Sequence, residues 1–207
     1  MCQGVRVAVE EKSDGGTELR GDLRRQAINA AAIAEFSHRG FSATSMANIA
    51  DAAGTSRPAL YQYFRNKGDI FASAFIALFE GQVELALAAL KSPGSTADQL
   101  NGVLQRFEGD LWELMAASEH SDEIMSAKNE HTQEAVWLIV GRLRNGLAAY
   151  LESKSSGQSA AARRRRDEWA EILELSPKGF KIDRPPVEVY RRRLATLARS
   201  VAADIDA

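Results

Sequence analysis

The chain has 207 residues, 45% of them hydrophobic and 26% charged, which suits one large or two small globular domains and excludes disorder along the whole length. Its formal net charge of −2 excludes nucleic-acid binding driven by overall charge, so any such binding must come from a local basic surface. A single cysteine, Cys2, excludes an internal disulfide and a cysteine-rich zinc site, and no segment reaches the roughly 18 consecutive apolar residues of a membrane span.

Residues 1–19 carry glycines and more acids than bases where a signal peptide needs an apolar stretch, so a flexible N-terminal tail on a soluble, cytoplasmic protein is expected. Beyond it the apolar residues recur at helical spacing, and an all-α fold of about nine helices is predicted. The first runs over 20–39 on the stripe Leu23, Ala27, Ile28, Ala31 and Phe36, and Gly40 ends it as a C-cap. Short helices follow over 45–52 and 56–63, then a long one over 67–90 that is apolar on several faces and so must be surrounded by other helices. After the loop 91–96, with Thr96 or Asp98 as cap, the pattern predicts helices to about 117 and over 121–128, 129–152, 160–175 and 187–204. Polar linkers over 153–159 and 176–186 separate the last of these, the second because its prolines are unsuited to helix interiors.

The segment from Thr44 to Lys67 has the spacing of a helix-turn-helix. Ala50 is small where two helices cross, Gly54 can adopt the positive φ of a tight turn, and Ile49, Leu60 and Phe64 supply the apolar contact between them. Thr44 is positioned to cap the first helix, Thr55 or Ser56 the second, and Pro58 lies in its first turn, where a missing N–H costs nothing. At 100° per residue, Ala59, Gln62 and Tyr63 fall on the arc opposite Leu60 and Phe64. Glutamine pairs with adenine, alanine touches a thymine methyl, and Arg57 suits guanine O6/N7, so this arc is built to read base edges. Residues 20–67 hold seven bases against three acids, which gives the nearly neutral chain a basic head for phosphate contact.

Ile28, Ala31, Ala32, Phe36, Gly40, Phe41, Thr44, Ser45, Ile49, Ala50, Ala53, Gly54, Ser56, Leu60, Tyr61, Tyr63, Phe64 and Lys67 together resemble the N-terminal signature of TetR-family (tetracycline-repressor-type) transcriptional regulators. The resemblance implies an all-α homodimer whose helix-turn-helix domain (20–67) binds a palindromic operator on double-stranded DNA. It implies a remainder (68–207) that binds a small effector, dimerises and needs no cofactor. It places Thr44, Ser45, Tyr61, Tyr63 and Lys67 on phosphates or backbone and Ser56, Arg57, Ala59 and Gln62, with Pro58 beside them, nearest the bases. Thr55, where the family usually has an aliphatic residue, and Gly68, where a stronger helix former is common, depart from the pattern.

In the remainder, aromatic and other apolar residues at helical spacing read first as core. The resemblance adds an effector cavity there, with Phe75, Phe79, Phe107, Leu111, Trp112, Met115 and Trp137 as lining candidates and an apolar or aromatic ligand. Heptad-like series run through Val136, Val140, Leu143, Leu147 and Tyr150 and through Val187, Tyr190, Leu194, Leu197 and Val201, either of which could face the chain's own core. The resemblance assigns the last two helices to a dimer interface, with Trp169, Ile172, Leu173, Tyr190, Leu194, Leu197 and Val201 as candidates. The basic runs Arg163–Arg166 and 191–193 read as solvated faces partly neutralised by nearby acids.

No catalytic or metal-ligating set is evident, because His131 and Glu134 share a helix face without a second paired motif. The reading is a ligand-responsive repressor, not an enzyme; a helical small-molecule carrier without DNA binding and an activator with the same head are the alternatives. Arg57→Ala is expected to lose about 1–3 kcal/mol on a specific site and relax one base position, and Lys67→Ala to weaken all sequences alike, by fluorescence anisotropy across salt concentrations.

Overall fold

The computed structural model describes residues 14–154 and 159–206, and among these every regular element is helical. The helices are α1 (Asp14–Ala43), α2 (Met46–Ala52), α3 (Arg57–Tyr61), α4 (Lys67–Ala89), α5 (Thr96–Leu104), α6 (Asp110–Ala116), α7 (Ser121–Lys154), α8 (Ala160–Gly179) and α9 (Val187–Ile205), with a π-turn at Gln105–Gly109 between α5 and α6. Residues 1–13 of the expected tail lie outside the described residues. Residues 14–19 are helical, so α1 starts six residues earlier than predicted.

Chemistry at the helix ends explains most boundaries. Ser45, not Thr44, caps α2 in a reciprocal box with Asn48. Ser56 caps α3, and Asn66 caps α4. Ser95, not Thr96 or Asp98, caps α5, with Asp98 returning the bond to the Ser95 N–H. The Asp98 carboxyl is held below its ordinary range chiefly by the Ser95 hydroxyl. Gly68, the second residue of α4, does not prevent that helix from starting at Lys67.

Two predicted breaks are absent and one irregularity is added. The helices expected over 121–128 and 129–152 are one, α7, because no glycine or proline interrupts residues 121–140. The predicted helix ending near 117 instead contains the π-turn, which places Phe107, Glu108 and Gly109 in succession on the buried side. α8 continues through Pro177 to Gly179, which shortens the expected 176–186 linker. The Pro177 carbonyl accepts a bond from the Tyr190 hydroxyl, and the proline is buried against α9.

The helices build two apolar cores. One joins Ile28, Ala32 and Phe36 of α1 to Ile49, Leu60, Phe64, Ile70 and Phe71; Leu23 and Ala27 of the predicted stripe are exposed instead. The other joins α4, α5, α7, α8 and α9 around Val83, Leu100, Leu143, Leu147, Tyr190 and Leu194. Leu78 and Phe79 of α4 pack against both. By length and composition α4 would also pass as a membrane span, but its apolar faces are those of a helix packed on α1, α5 and α7.

α1 bends at Gly40, whose φ is +78°. A Cβ there would also overlap the Glu123 carboxylate of α7. Gly40→Ala is therefore expected to destabilise the protein by at least the roughly 1–2 kcal/mol cost of a left-handed L-residue. Gly81→Ala, with open space around its Cβ, is expected to be neutral or stabilising, both measured by urea denaturation.

Candidate nucleic-acid interface and ligand cavity

α2 and α3 meet through the turn at Gly54, whose φ of +59° is the left-handed conformation that the spacing required. Leu60 and Phe64 turn inward, and the opposite arc of α3 lies at the surface. Ser56, Arg57, Pro58, Tyr61 and Gln62 are exposed, and Ala59 and Tyr63 are half-buried. The side chains of Arg57, Tyr61 and Gln62 make no hydrogen bond with any described residue, so their donors and acceptors are available to another molecule. Arg24 and Arg25 of α1 flank this surface: Arg24 donates to the Gly54 carbonyl at 3.2 Å, and the Arg25 guanidinium lies 5.0 Å from the centre of the Phe64 ring.

Two predicted contact residues are bonded within the protein. Thr44 is buried, its hydroxyl donating to the Gly40 carbonyl at 2.7 Å and the Glu35 carbonyl at 3.2 Å, so it terminates α1 instead of facing outward. Lys67 Nζ donates to the carbonyls of Phe41 (2.7 Å) and Ser42 (3.0 Å) and lies over the Phe41 ring. In the free protein Lys67 is thus a clasp on the end of α1, because the bend at Gly40 turns unpaired carbonyls toward the start of α4. Ser45 is exposed, but its hydroxyl is engaged with Asn48.

The same bend is held from the other side. Glu123, in the first turn of α7, accepts the Ser42 N–H at 2.6 Å, and the Ser118 hydroxyl donates to the Ser37 carbonyl at 2.7 Å. Hydrogen bonds from Ser42 keep the Glu123 carboxyl below its ordinary range, with the nearby charges of His120 and Lys67 in support and burial acting against them.

Directly behind this junction is a cavity of about 580 Å³, a size typical of small-molecule sites. The structure brings together on its wall all seven apolar candidates: Phe75, Phe79, Phe107, Leu111, Trp112, Met115 and Trp137. Phe79 and Phe107 meet edge to face at 6.1 Å. Sequence reasoning missed its polar wall: Glu108, Asp122, Glu174, Lys178, Lys181 and Arg184. Glu108 is buried where the π-turn carries it inward, and it accepts bonds from Lys181 (2.5 Å) and the Tyr190 hydroxyl (3.0 Å). Burial first, then the Glu108 charge, push the Tyr190 phenol well above its usual range, so it stays a proton donor. The only signal for the cations was the basic residues of the segment read as a polar linker.

Residues 28–74 match the family model described as bacterial regulatory proteins, tetR family. Over these residues the chain is similar to the DNA-binding head of that family. It is 40% identical over 91 residues to the HTH-type transcriptional regulator AcrR of Shigella flexneri, which covers 42% of this chain and 41% of that one. It is 32% identical over 92 residues to the HTH-type transcriptional activator FasR of Mycolicibacterium smegmatis, covering 44% and 42%. The matches thus span about two fifths of those relatives. The fold agrees over a longer stretch with a transcriptional regulator from Rhodococcus at a TM-score of 0.59, with 17% identity over 88% of this chain and 98% of that one.

Outside the matched head, most of the predicted dimer residues pack within the chain itself. Leu173, Tyr190, Leu194 and Val201 are buried in the chain's own core, and Trp169 and Leu197 pack against it, because the periodic face of α9 turns inward onto α5. Ile172 is exposed, as are Leu175, Leu138 and Trp137. The basic runs are internally paired: Arg164 with Glu168, Arg165 with Asp204, Arg191 with Asp110 and Glu113, and Arg193 with Asp183. The side chain of His131, considered above with Glu134, lies outside the described residues.

Because the folded Glu123 pKa is depressed, its contribution to stability is complete above the unfolded carboxyl value and is lost as pH falls through the lower folded one. Thermal unfolding followed from neutral pH to below about pH 4 is expected to show a steeper acid decline for wild type than for Glu123→Gln, which lacks this titration.

Proposed function

We propose that the chain is a ligand-responsive, DNA-binding transcriptional regulator that acts as a homodimeric repressor in the cytoplasm, without catalytic activity. The observation that carries this reading is the exposed, unpaired arc of Arg57, Tyr61 and Gln62 on a capped α3 within the tetR-family match. Residues 20–67 act as the DNA-binding domain and 68–207 as the effector and dimerisation domain. Arg57 and Gln62 read bases, Ala59 and Pro58 bring the backbone close, and Ser45, Ser56, Tyr61 and Tyr63 approach phosphates. Lys67 acts through the position of the head, by holding α1 to α4.

A second copy covers the α7–α8 face where Leu138, Ile172 and Leu175 are exposed, since exposed large apolar side chains favour burial. A two-fold dimer presents its recognition helices about 34–36 Å apart, one turn of DNA, and selects an inverted repeat.

The coupling runs through α4. Phe75, Leu78 and Phe79 line the cavity from the helix whose first residue clasps the head, so a ligand that favours one position of α4 also favours one position of α3. Such a shift requires different ligand affinities for the two conformers. The sign of regulation depends on operator position relative to the promoter, and the same head serves an activator; the name of the FasR relative is that of an activator.

Selection of bound sequences from a random duplex pool tests the reading without knowledge of the ligand. An enriched inverted repeat is expected, with enrichment lost in Arg57→Ala. A folded, ligand-free sample that enriches nothing at low salt would instead support a helical carrier.

A further inference from the structure

We propose that the ligand of the cavity is a neutral aromatic molecule carrying a hydroxyl group, which donates to Glu108 and accepts from Lys181. Calling this ligand the effector rests on the regulator reading above; the ligand class rests on the cavity alone.

The charged groups on the cavity wall differ in burial. The side chains of Lys178, Arg184 and Asp122 are 57%, 71% and 76% exposed, so water screens them whether or not the cavity is filled. Glu174 is engaged elsewhere: its Oε2 is inaccessible beside Arg144, and its Oε1 accepts from Lys178 at 3.2 Å. Glu108 and Lys181 are the more enclosed pair, 9% and 28% exposed, with Oε2 and Nζ 2.5 Å apart.

This pair has one acceptor and two donors to spare. Glu108 Oε2 accepts from both Lys181 and, at 3.0 Å, the Tyr190 hydroxyl. Oε1 accepts no bond from a described residue, and it remains accessible on a side chain that lines the cavity. A largely desolvated carboxylate oxygen without a donor is costly, and a ligand O–H removes that cost. Lys181 spends one of its three N–H donors on Glu108. A free acceptor and a free donor thus lie side by side within one ion pair, where a single hydroxyl satisfies both.

The same pair selects against a charged ligand group. A carboxylate that accepted from Lys181 would face Glu108, and an ammonium that donated to Glu108 would face Lys181. In either case like charges meet in a poorly hydrated wall, where repulsion is strong. A neutral group that both donates and accepts meets neither repulsion.

The aromatic body follows from what adjoins the pair. Lys181 Nζ lies 6.0 Å from the centre of the Trp112 ring, and the Trp112 and Tyr190 rings meet at 5.5 Å. Phe107, the residue before Glu108, meets Phe79 edge to face at 6.1 Å. Trp112 and Phe107 are therefore neighbours of the pair as well as walls of the chamber, so a ring resting on them carries its hydroxyl to the pair.

The test titrates the full chain at neutral pH with four probes of one ring system, 2-naphthol, 2-methylnaphthalene, 2-naphthoate and 2-naphthylmethylammonium, by isothermal calorimetry. Wild type is expected to bind 2-naphthol about tenfold more tightly than 2-methylnaphthalene, the worth of one hydrogen bond to a charged group, and more tightly than either ion. E108Q keeps the side-chain shape and leaves Lys181 uncompensated, so its preference is expected to shift from 2-naphthol to 2-naphthoate. E108L/K181M removes both charges together and leaves the Tyr190 hydroxyl its Pro177 acceptor at 3.3 Å. It is expected to lose the preference for 2-naphthol while keeping its affinity for 2-methylnaphthalene, which shows that its chamber is intact. Equal affinities for the first two probes, tighter binding of either ion by wild type, no binding of 2-naphthol, or a double variant that retains the preference would overturn the proposal. If a variant fails to fold, the wild-type series alone decides. A selected operator separates the two readings: 2-naphthol that binds without changing DNA affinity supports the ligand class and overturns its role as effector. Failure to obtain any operator counts against the regulator and leaves the titration to decide the ligand.

Discussion

The architecture depends on two helices, α4 and α7, that each belong to both hydrophobic cores. Ile70, Phe71, Ala74 and Phe75 of α4 complete the core of the head, while Val83 and Ala86 lie in the core of the body, with Leu78 and Phe79 touching both. Close-packed interiors transmit small displacements because side chains have few alternative arrangements. A molecule in a cavity walled by Phe75, Leu78 and Phe79 therefore acts on the apolar continuity that α4 provides between the two cores. The clasps at the Gly40 bend, Lys67 from α4 and Glu123 from α7, give that continuity a direction, since both act on the end of the helix that supports α2 and α3.

Polar groups in the body are arranged as compensated layers. Inner carboxylates, Glu108 and Glu174, would be costly to bury alone: Glu108 accepts from Lys181 and Tyr190, while Glu174 accepts from Lys178 and pairs with Arg144, its Oε2 having no hydrogen-bond partner. Outer cations retain donors toward solvent. The π-turn is the local device that makes the inner layer possible, because an extra residue in the turn allows Phe107 to face the chamber and Glu108 to face Tyr190. The tight approach at Gly109, where a Cβ would crowd Arg191, keeps α9 close enough for that bond.

The head was legible in the sequence because its constraints are local. Gly54 requires a positive φ, Ser56 a cap, Leu60 and Phe64 one face, and each follows from residues within a turn or two. The bonds of Thr44 and Lys67 back onto the end of α1 were not legible, because a hydroxyl or an ammonium near an exposed surface has the same local pattern whether it points outward or back onto a helix end. Only the fold shows that the carbonyls of Gly40, Phe41 and Ser42 lie within reach. The seven apolar cavity residues were visible as aromatics at helical spacing, although spacing alone does not distinguish core from lining. The cations were not visible as lining, since Lys178, Lys181 and Arg184 meet Phe107 and Trp112 only through contacts more than sixty residues apart.

Composition and periodicity alone determined an all-helical chain, a basic head, the helix-turn-helix and the absence of an internal disulfide, because propensity, caps and net charge are properties of neighbouring residues. Tertiary structure alone decided which side of α9 is buried, that α7 is continuous, that Tyr190 and Leu194 lie in the chain's own core, and that charged side chains join the aromatic ones on the cavity wall. An amphipathic stripe specifies that a face will be buried but not against what. That choice is made by the packing of distant helices, which periodicity does not encode.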